Sequence, residues 1–217
     1  MQRMLYVLLC MLCSMPAAAY KLVHENDEAP FKWGSAEVGT GVTIRYTLAR
    51  SRFTLAGGFS RAACDTIDSL RSMLEKSGVA EDSFVREIQR GINQWSRVAN
   101  VRFVYTEDAA GADVIIGAQV HPQGTAFANV KAVSAEPMRV AHKAIVCINP
   151  QRALVEKRGD CKTRFNIAYL FSHEFGHVLG LDHPAPQGSL MAFRCSEDQH
   201  LTADDAAGAQ YLYGRAQ

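Results

Sequence analysis

The sequence has no excess of charge of either sign. Its 217 residues carry 23 Lys and Arg against 22 Asp and Glu, a net charge of +1. With no basic stripe and no acidic tail, a surface built for nucleic acid or for a polyanionic partner is excluded. Internal repeats, low-complexity tracts and heptads are lacking too, which sets aside solenoids and coiled coils. Residues 4–12 form an apolar run, but one too short to span a bilayer permanently. Beyond residues 1–19 no CxxC spacing occurs, which argues against a cysteine zinc site. What is present is ordinary: 48% hydrophobic and 21% charged residues, in a length that suits one domain.

The first nineteen residues stand apart from that domain. Arg3 supplies a short positive region, residues 4–12 the apolar run, and Ala17-Ala18-Ala19 the small residues a signal peptidase needs. Residues 1–19 are expected to be a secretory signal cleaved after Ala19, leaving residues 20–217 as one domain. Pro16 and the short run disfavour a retained anchor, and neither Cys10 nor Cys13 follows the small residue of a lipobox. Removing Arg3 leaves 22 basic and 22 acidic residues. In an oxidising compartment the remaining Cys64, Cys147, Cys161 and Cys195 suggest two disulfides, with three possible pairings. Cys147 with Cys161 would close a short loop around Pro150 and Gly159, and Cys64 would then pair with Cys195.

Apolar spacing sketches the elements. Residues 42–48 alternate as a strand, and residues 101–105 read the same way. Residues 60–76 carry Ala63, Ile67, Leu70 and Leu74 at helical spacing and end before Gly78. Asp82 is expected to cap a second helix with an inner stripe of Val85, Ile88, Ile92, Trp95 and Val98. Residues 113–117 suit a buried central strand, and two more strands are expected at 125–130 and 140–148. Residues 165–179 and 201–213 read as helices, the last opening on a capping box, Thr202-Ala203-Asp204-Asp205, with Asp in place of Glu. Residues 20–41, rich in glycine and charge, are expected to wrap the surface. This order predicts a mixed, mostly parallel sheet covered by helices.

The informative segment is His173-Glu174-Phe175-Gly176-His177-Val178-Leu179-Gly180-Leu181-Asp182-His183. Residues four apart share a helix face, so His173 and His177 can present imidazoles to one ion. Glu174 flanks that face, placed to reach water on the metal without ligating it. Gly180 allows the left-handed geometry that turns the chain and swings His183 back as third ligand. Three neutral nitrogens leave a fourth tetrahedral position open, the mark of a catalytic zinc. From this chain's own composition the five fixed positions would arise by chance in roughly three chains per hundred thousand.

On these residues the chain resembles the metzincins: HExxHxxGxxH is followed by Ser189-Leu190-Met191, similar to the turn whose methionine lies beneath the zinc. Residues 201–214 resemble the closing helix of the matrixins, the matrix metalloproteinase family. Residues 88–103, with Ile92, Trp95, Ser96, Val98 and Phe103, resemble that family's first long helix and next strand, and residues 112–117 its central strand. The resemblance covers most of residues 42–214, with an insertion around 60–81. It implies an α+β metzincin-type catalytic domain with an active-site helix, a Met-turn at Met191 and a C-terminal helix. It also implies a zinc endopeptidase whose polypeptide substrate lies along an exposed sheet edge. That edge is expected at residues 125–130, with Thr125, Ala126 and Ala128 as contacts, and Phe193 in the pocket wall formed by residues 190–195.

Departures from the family pattern set further expectations. Residues 118–124 lack the acidic side chains of the loop that holds structural zinc and calcium in matrixins. One catalytic zinc and no calcium are therefore expected, with His121 and His142 as loop or surface residues. No cysteine-switch propeptide is recognisable. Pro184 is more like serralysins, yet their glycine-rich calcium repeats are absent, and Phe193 replaces a usual proline. The chain is expected to act as a monomer, without nucleic acid or a permanent membrane span. A zinc-holding module without catalysis, or a zinc amidase, is the alternative on the same scaffold.

Overall fold

Period-two alternation in the strands and a 3.6-residue stripe in the helices decide which faces meet. The computed structural model describes residues 20–24, 29–56, 64–157, 159–184, 189–195 and 200–217; the expected signal of residues 1–19 lies outside them. The chain opens with β1 (Lys21–Leu22), β2 (Phe31–Trp33), β3 (Val42–Leu48), β4 (Phe53–Thr54) and β5 (Thr66–Asp68). Next come α1 (Arg71–Ser77), α2 (Glu81–Ser96), β6 (Val101–Tyr105), β7 (Val114–Gln119), β8 (Ala126–Val133) and β9 (Arg139–Ile148). It closes with β10 (Ala153–Val155), β11 (Arg164–Asn166), α3 (Ile167–Val178), β12 (Leu181–Asp182) and α4 (Ala203–Tyr213).

Strands β2-β9-β7-β3-β6 lie side by side in that order, all neighbours parallel. Strand β8 adds antiparallel to β9, and β5 adds antiparallel to β7 with β4 beyond it. The result is a mixed, mostly parallel sheet with helices, the α+β architecture expected. On β9, Ala144, Val146 and Ile148 face one side and Ile145 and Cys147 the other. Helices α2 and α3 cover the first side. There Tyr46, Phe103 and Phe175 meet edge-to-face, with Phe175 at 5.8 Å from Tyr46 and 5.3 Å from Phe103. Phe84 meets Phe171 at 5.4 Å in the same manner. Fully burying each such side chain is worth about 1.5–3 kcal/mol.

Five expectations need correction. Of the expected 60–76 helix, residues 60–63 lie outside the described residues, and among the described ones only 71–76 belong to α1; Thr66–Asp68 is a strand, because Ile67 pairs with Gln119 at the end of β7. Ala80, with no side-chain bond, is the N-cap of α2, and Asp82 sits in the first turn, where its charge still suits the helix dipole. Phe84 joins Ile88, Ile92 and Trp95 in the buried stripe, while Val85 and Val98 are only half-buried. Residues 20–41 do not simply wrap the surface: β2 inserts beside β9 with Phe31 and Trp33 buried.

The cysteines pair differently from the expectation. Cys64 joins Cys147 and Cys161 joins Cys195, with Cα separations of 5.8 and 5.5 Å. Strand alternation turns Cys147 to the face away from the helices, where Cys64 lies buried. Cys161 lies beyond β10 in the chain, beside Cys195, and both line the cleft described below. The short sequence separation of Cys147 and Cys161 is thus irrelevant.

Candidate metal centre and cleft

Helix α3 begins on Asn166, whose side chain accepts from the Tyr169 amide at 2.8 Å, and apart from Ser172, His173, Glu174 and His177 its residues are mainly apolar. It is buried on most sides, so its two histidines face one of the few openings. Trp95 of α2 donates to the Ser172 carbonyl at 2.8 Å. At the other end, Trp33 Nε1 and Tyr213 Oη donate to the carbonyls of Val178 and Leu179 at 2.7 and 2.8 Å. The helix stops at Gly180, whose φ of +103° is left-handed; a Cβ there would also strike the Phe31 carbonyl. The chain then reverses into β12, and β1 pairs along it.

That reversal brings His183 against the helix. His183 Nε2 lies 3.2 Å from His177 Nε2 and 3.3 Å from His173 Nε2. The Nδ1 atoms of His173 and His177 face the carbonyls of Leu190 and Leu181 at 2.7 and 2.8 Å, so each carries its proton there. Their Nε2 lone pairs therefore point at one another. Burial lowers the pKa of both imidazoles, and for His177 the two neighbouring histidines add to it. Lone pairs held this close repel unless a cation lies among them. The edge of a tetrahedron with zinc–nitrogen bonds is about 3.3–3.4 Å, so the donor set fits that ion. Among the described residues this is the only group of His, Cys, Asp or Glu able to hold a metal. His121 and His142 are both exposed.

Glu174 lies beside the three rings, 4% exposed, and its Oε2 has no partner. Burial pushes its pKa up to about 8. A buried carboxylate oxygen without a donor is costly in a merely structural setting, and it is available for a proton.

Met191 is buried and packs on α3 where Gly176 leaves room; a Cβ at Gly176 would fall 2.1 Å from the Met191 sulfur. Its turn hangs from Asp205. The Asp205 carboxylate accepts from Ser189 Oγ at 2.5 Å and the Leu190 amide at 3.0 Å, and also from the Thr202 amide at 2.9 Å. The Leu190 carbonyl then accepts from His173. Thr202 and Asp205 form the expected capping box. Sequence reasoning missed the role of Asp205 in holding the turn: Asp in place of Glu in the capping box was the one signal available.

A cleft of about 850 Å³ opens over these groups. Thr125, Ala126 and Ala128 line it along β8, whose other flank has no partner strand among the described residues. Phe193 lines it too, 72% exposed, its ring edge-to-face with His183 at 5.2 Å.

Fold and site together define a metzincin-type domain: a mostly parallel sheet, a helix bearing two of three converging histidines, a glycine turn and a methionine turn beneath. Residues 69–214 match the matrixin family model, and the chain belongs to that peptidase family. It is 27% identical to Metalloendoproteinase 1-MMP of Arabidopsis thaliana over 172 residues, 76% of this chain and 47% of that protein. It is 46% identical to Matrilysin of Mus musculus over 54 residues, 23% of this chain and 20% of that protein. To Neutrophil collagenase of Homo sapiens it is 43% identical over 54 residues, 23% of this chain and 12% of that protein. The chain thus spans less than half the length of each of these relatives.

Proposed function

We propose that this chain is a secreted zinc-dependent endopeptidase that hydrolyses peptide bonds in extended polypeptides. The observation that carries the reading is the convergence of three imidazole Nε2 atoms beside a buried carboxylate whose Oε2 has no partner. His173, His177 and His183 would hold the ion. Bound there, zinc supplies Lewis-acid chemistry, polarising a carbonyl and easing the ionisation of water near neutral pH.

The protein's own groups supply the rest. Glu174 takes a proton from the attacking water at its carboxylate; the carbon–nitrogen bond then breaks, and the same proton passes to the leaving amine. Asp205, through the Leu190 carbonyl, fixes the His173 ring and its tautomer. Met191 provides an apolar floor. The free flank of β8 offers backbone groups to an extended peptide, which admits many sequences alike. Phe193 shields one side of the site from water. One zinc and no calcium are the expected metal content, in a monomer.

Secretion is supported by two disulfides, which suit an oxidising compartment, and by the signal-like residues 1–19. No described helix is long and apolar enough to cross a membrane. The test is fluorescence release from a quenched generic peptide, with elemental analysis of the same sample. Cleavage should stop with a chelator and return with zinc. A chain that holds one zinc but cleaves no peptide would instead be a metal-holding module.

A further inference from the structure

The two-stranded ribbon β10–β11 has no part in the chemistry above, yet it brings two cations to one end of the cleft. Its strands are parallel, with Ala153 paired to Arg164. Arg152 precedes the first of these and Thr163 the second, so Arg152 and the turn at residues 161–163 lie side by side. Neighbouring strands are about 4.8 Å apart. Arg152 and Lys162 both line the cleft.

Both positions are held by built features. Arg152 Nε donates to the Gly124 carbonyl at 3.1 Å, one residue before Thr125 at the head of the free strand flank. Lys162 sits in a turn organised by Asp160, whose carboxylate accepts from the amides of Lys162, Thr163 and Arg164 at 2.7–3.0 Å and from the Thr163 hydroxyl. Those bonds hold the Asp160 carboxyl well below the usual range and occupy its oxygens. Cys161, at φ +55°, is tied to Cys195, so the turn is also joined to the wall that carries Phe193. Of the carboxylates that line the cleft, Asp182 pairs with Lys21 at 2.5 Å and Glu174 lies in the metal centre. Among the described residues neither Arg152 nor Lys162 is in an ion pair.

We propose that this end of the cleft is a subsite for a carboxylate of the substrate, with Arg152 and Lys162 as its specificity-determining residues. The proposal rests on the endopeptidase reading and names the substrate class: polypeptides bearing an acidic group at a set distance from the cleaved bond. A guanidinium can take a carboxylate in two parallel hydrogen bonds, and the lysine adds a point charge. The carboxylate can come from an internal Glu or Asp or from a free chain end.

Quenched peptides with amidated ends, in which Glu replaces Gln at each position in turn, distinguish these, beside a set truncated so that a free α-carboxylate falls there. Cleavage is read as kcat/KM, and binding to the Glu174→Gln variant by anisotropy. At one position Glu should raise kcat/KM and affinity by about fivefold over Gln. The preference should fade in 1 M salt, where charges are screened within about 3 Å. It should vanish in Arg152→Gln/Lys162→Gln. Preference confined to the truncated set assigns the carboxylate to the chain end. Equal values for Glu, Gln and truncated peptides, or a preference that survives the double variant, overturns the subsite while leaving endopeptidase activity intact. Charge-dependent binding without cleavage in the unaltered protein upholds the subsite and overturns the catalytic reading; neither binding nor cleavage overturns both.

Discussion

The two faces of the sheet are stabilised by different means. On the helical face a single large apolar cluster runs from Phe31 through Trp95 and Phe175 to Leu212, and the three histidines sit at its rim. On the outer face the buried cluster is small: Ala49, Leu55, Cys64, Ile67, Ile115, Ile145 and Cys147. Two whole helices cover the first face, whereas on the second only Leu55, Cys64 and Ile67, from the stretch around β4 and β5, pack against Ile115, Ile145 and Cys147. Burial scales with covered area, so the outer face gains little from the hydrophobic effect. A covalent tie, Cys64–Cys147, fastens that stretch to β9. The tie also serves the cleft indirectly, since the Cys64 carbonyl accepts from Asn129 of β8 at 2.6 Å. Positioning on one face is thus a matter of packing, and on the other of a cross-link.

This contrast is tested most strongly by separating chemistry from stability on the helical face. Glu174→Gln should lower peptide cleavage by about 10²–10⁴-fold, as loss of a general base does, while zinc content and thermal midpoint stay close to the parent. Zinc loss in this variant would show that Glu174 holds the ion and does not only serve the water. On the outer face the reverse is expected. Replacing Cys64 and Cys147 together by Ala should cost about 2–4 kcal/mol in urea unfolding but leave zinc bound. If zinc is lost while the fold persists, the two faces are more tightly coupled than their packing suggests.

A smaller effect probes the floor of the site. Met191→Leu keeps volume and apolarity, so the change should cost under about 1.5 kcal/mol with zinc and activity retained. Loss of zinc in a folded Met191→Leu protein would make the thioether more than a floor. The smallest effect concerns a buried polar group on β2, whose ammonium lies 5.2 Å over the Tyr213 ring of α4. Lys32 is fully buried between Phe31 and Trp33 and donates to the Trp33 and Ser35 carbonyls and to Thr40 Oγ1. Desolvation pushes its pKa from 10.5 down to about 8, with Glu37 opposing. The folded chain then sheds this proton before the unfolded chain does, so this group's contribution to stability rises between about pH 8 and 10.5. Urea midpoints across that window should climb more steeply in the parent than in Lys32→Met. Parallel curves would mean that Lys32 titrates normally.

Much of the site was legible because its parts are local. His173, Glu174 and His177 are related by helix geometry alone, and Gly180 is the residue that a left-handed helix end selects. Strands β3 and β6 could be read to the residue because their alternation is undisturbed. The same applies to the Thr202–Asp205 box, whose bonds span three residues. Less legible was the stretch around Ile67: its apolar spacing suits a helix, but an unpaired edge at the end of β7 takes it as a strand. Neither propensity nor spacing registers a neighbour brought from fifty residues away.

What the sequence alone determined is therefore local: the spacing of the three histidines and Glu174 to which the proposed chemistry is assigned, the turn glycine, and most of the strands and helices that carry them. These depend on residue types at short separations, where backbone periodicity does the positioning. The tertiary structure decided the disulfide partners, because which face of β9 Cys147 points to depends on the register of the whole sheet. It decided that Asp205 should hold the Met191 turn from fourteen residues further along the chain, and that β10 and β11 should set Arg152 beside the Lys162 turn. Each of these contacts joins segments whose separation in sequence carries no record of their distance in space. Only the packing of the elements supplies it.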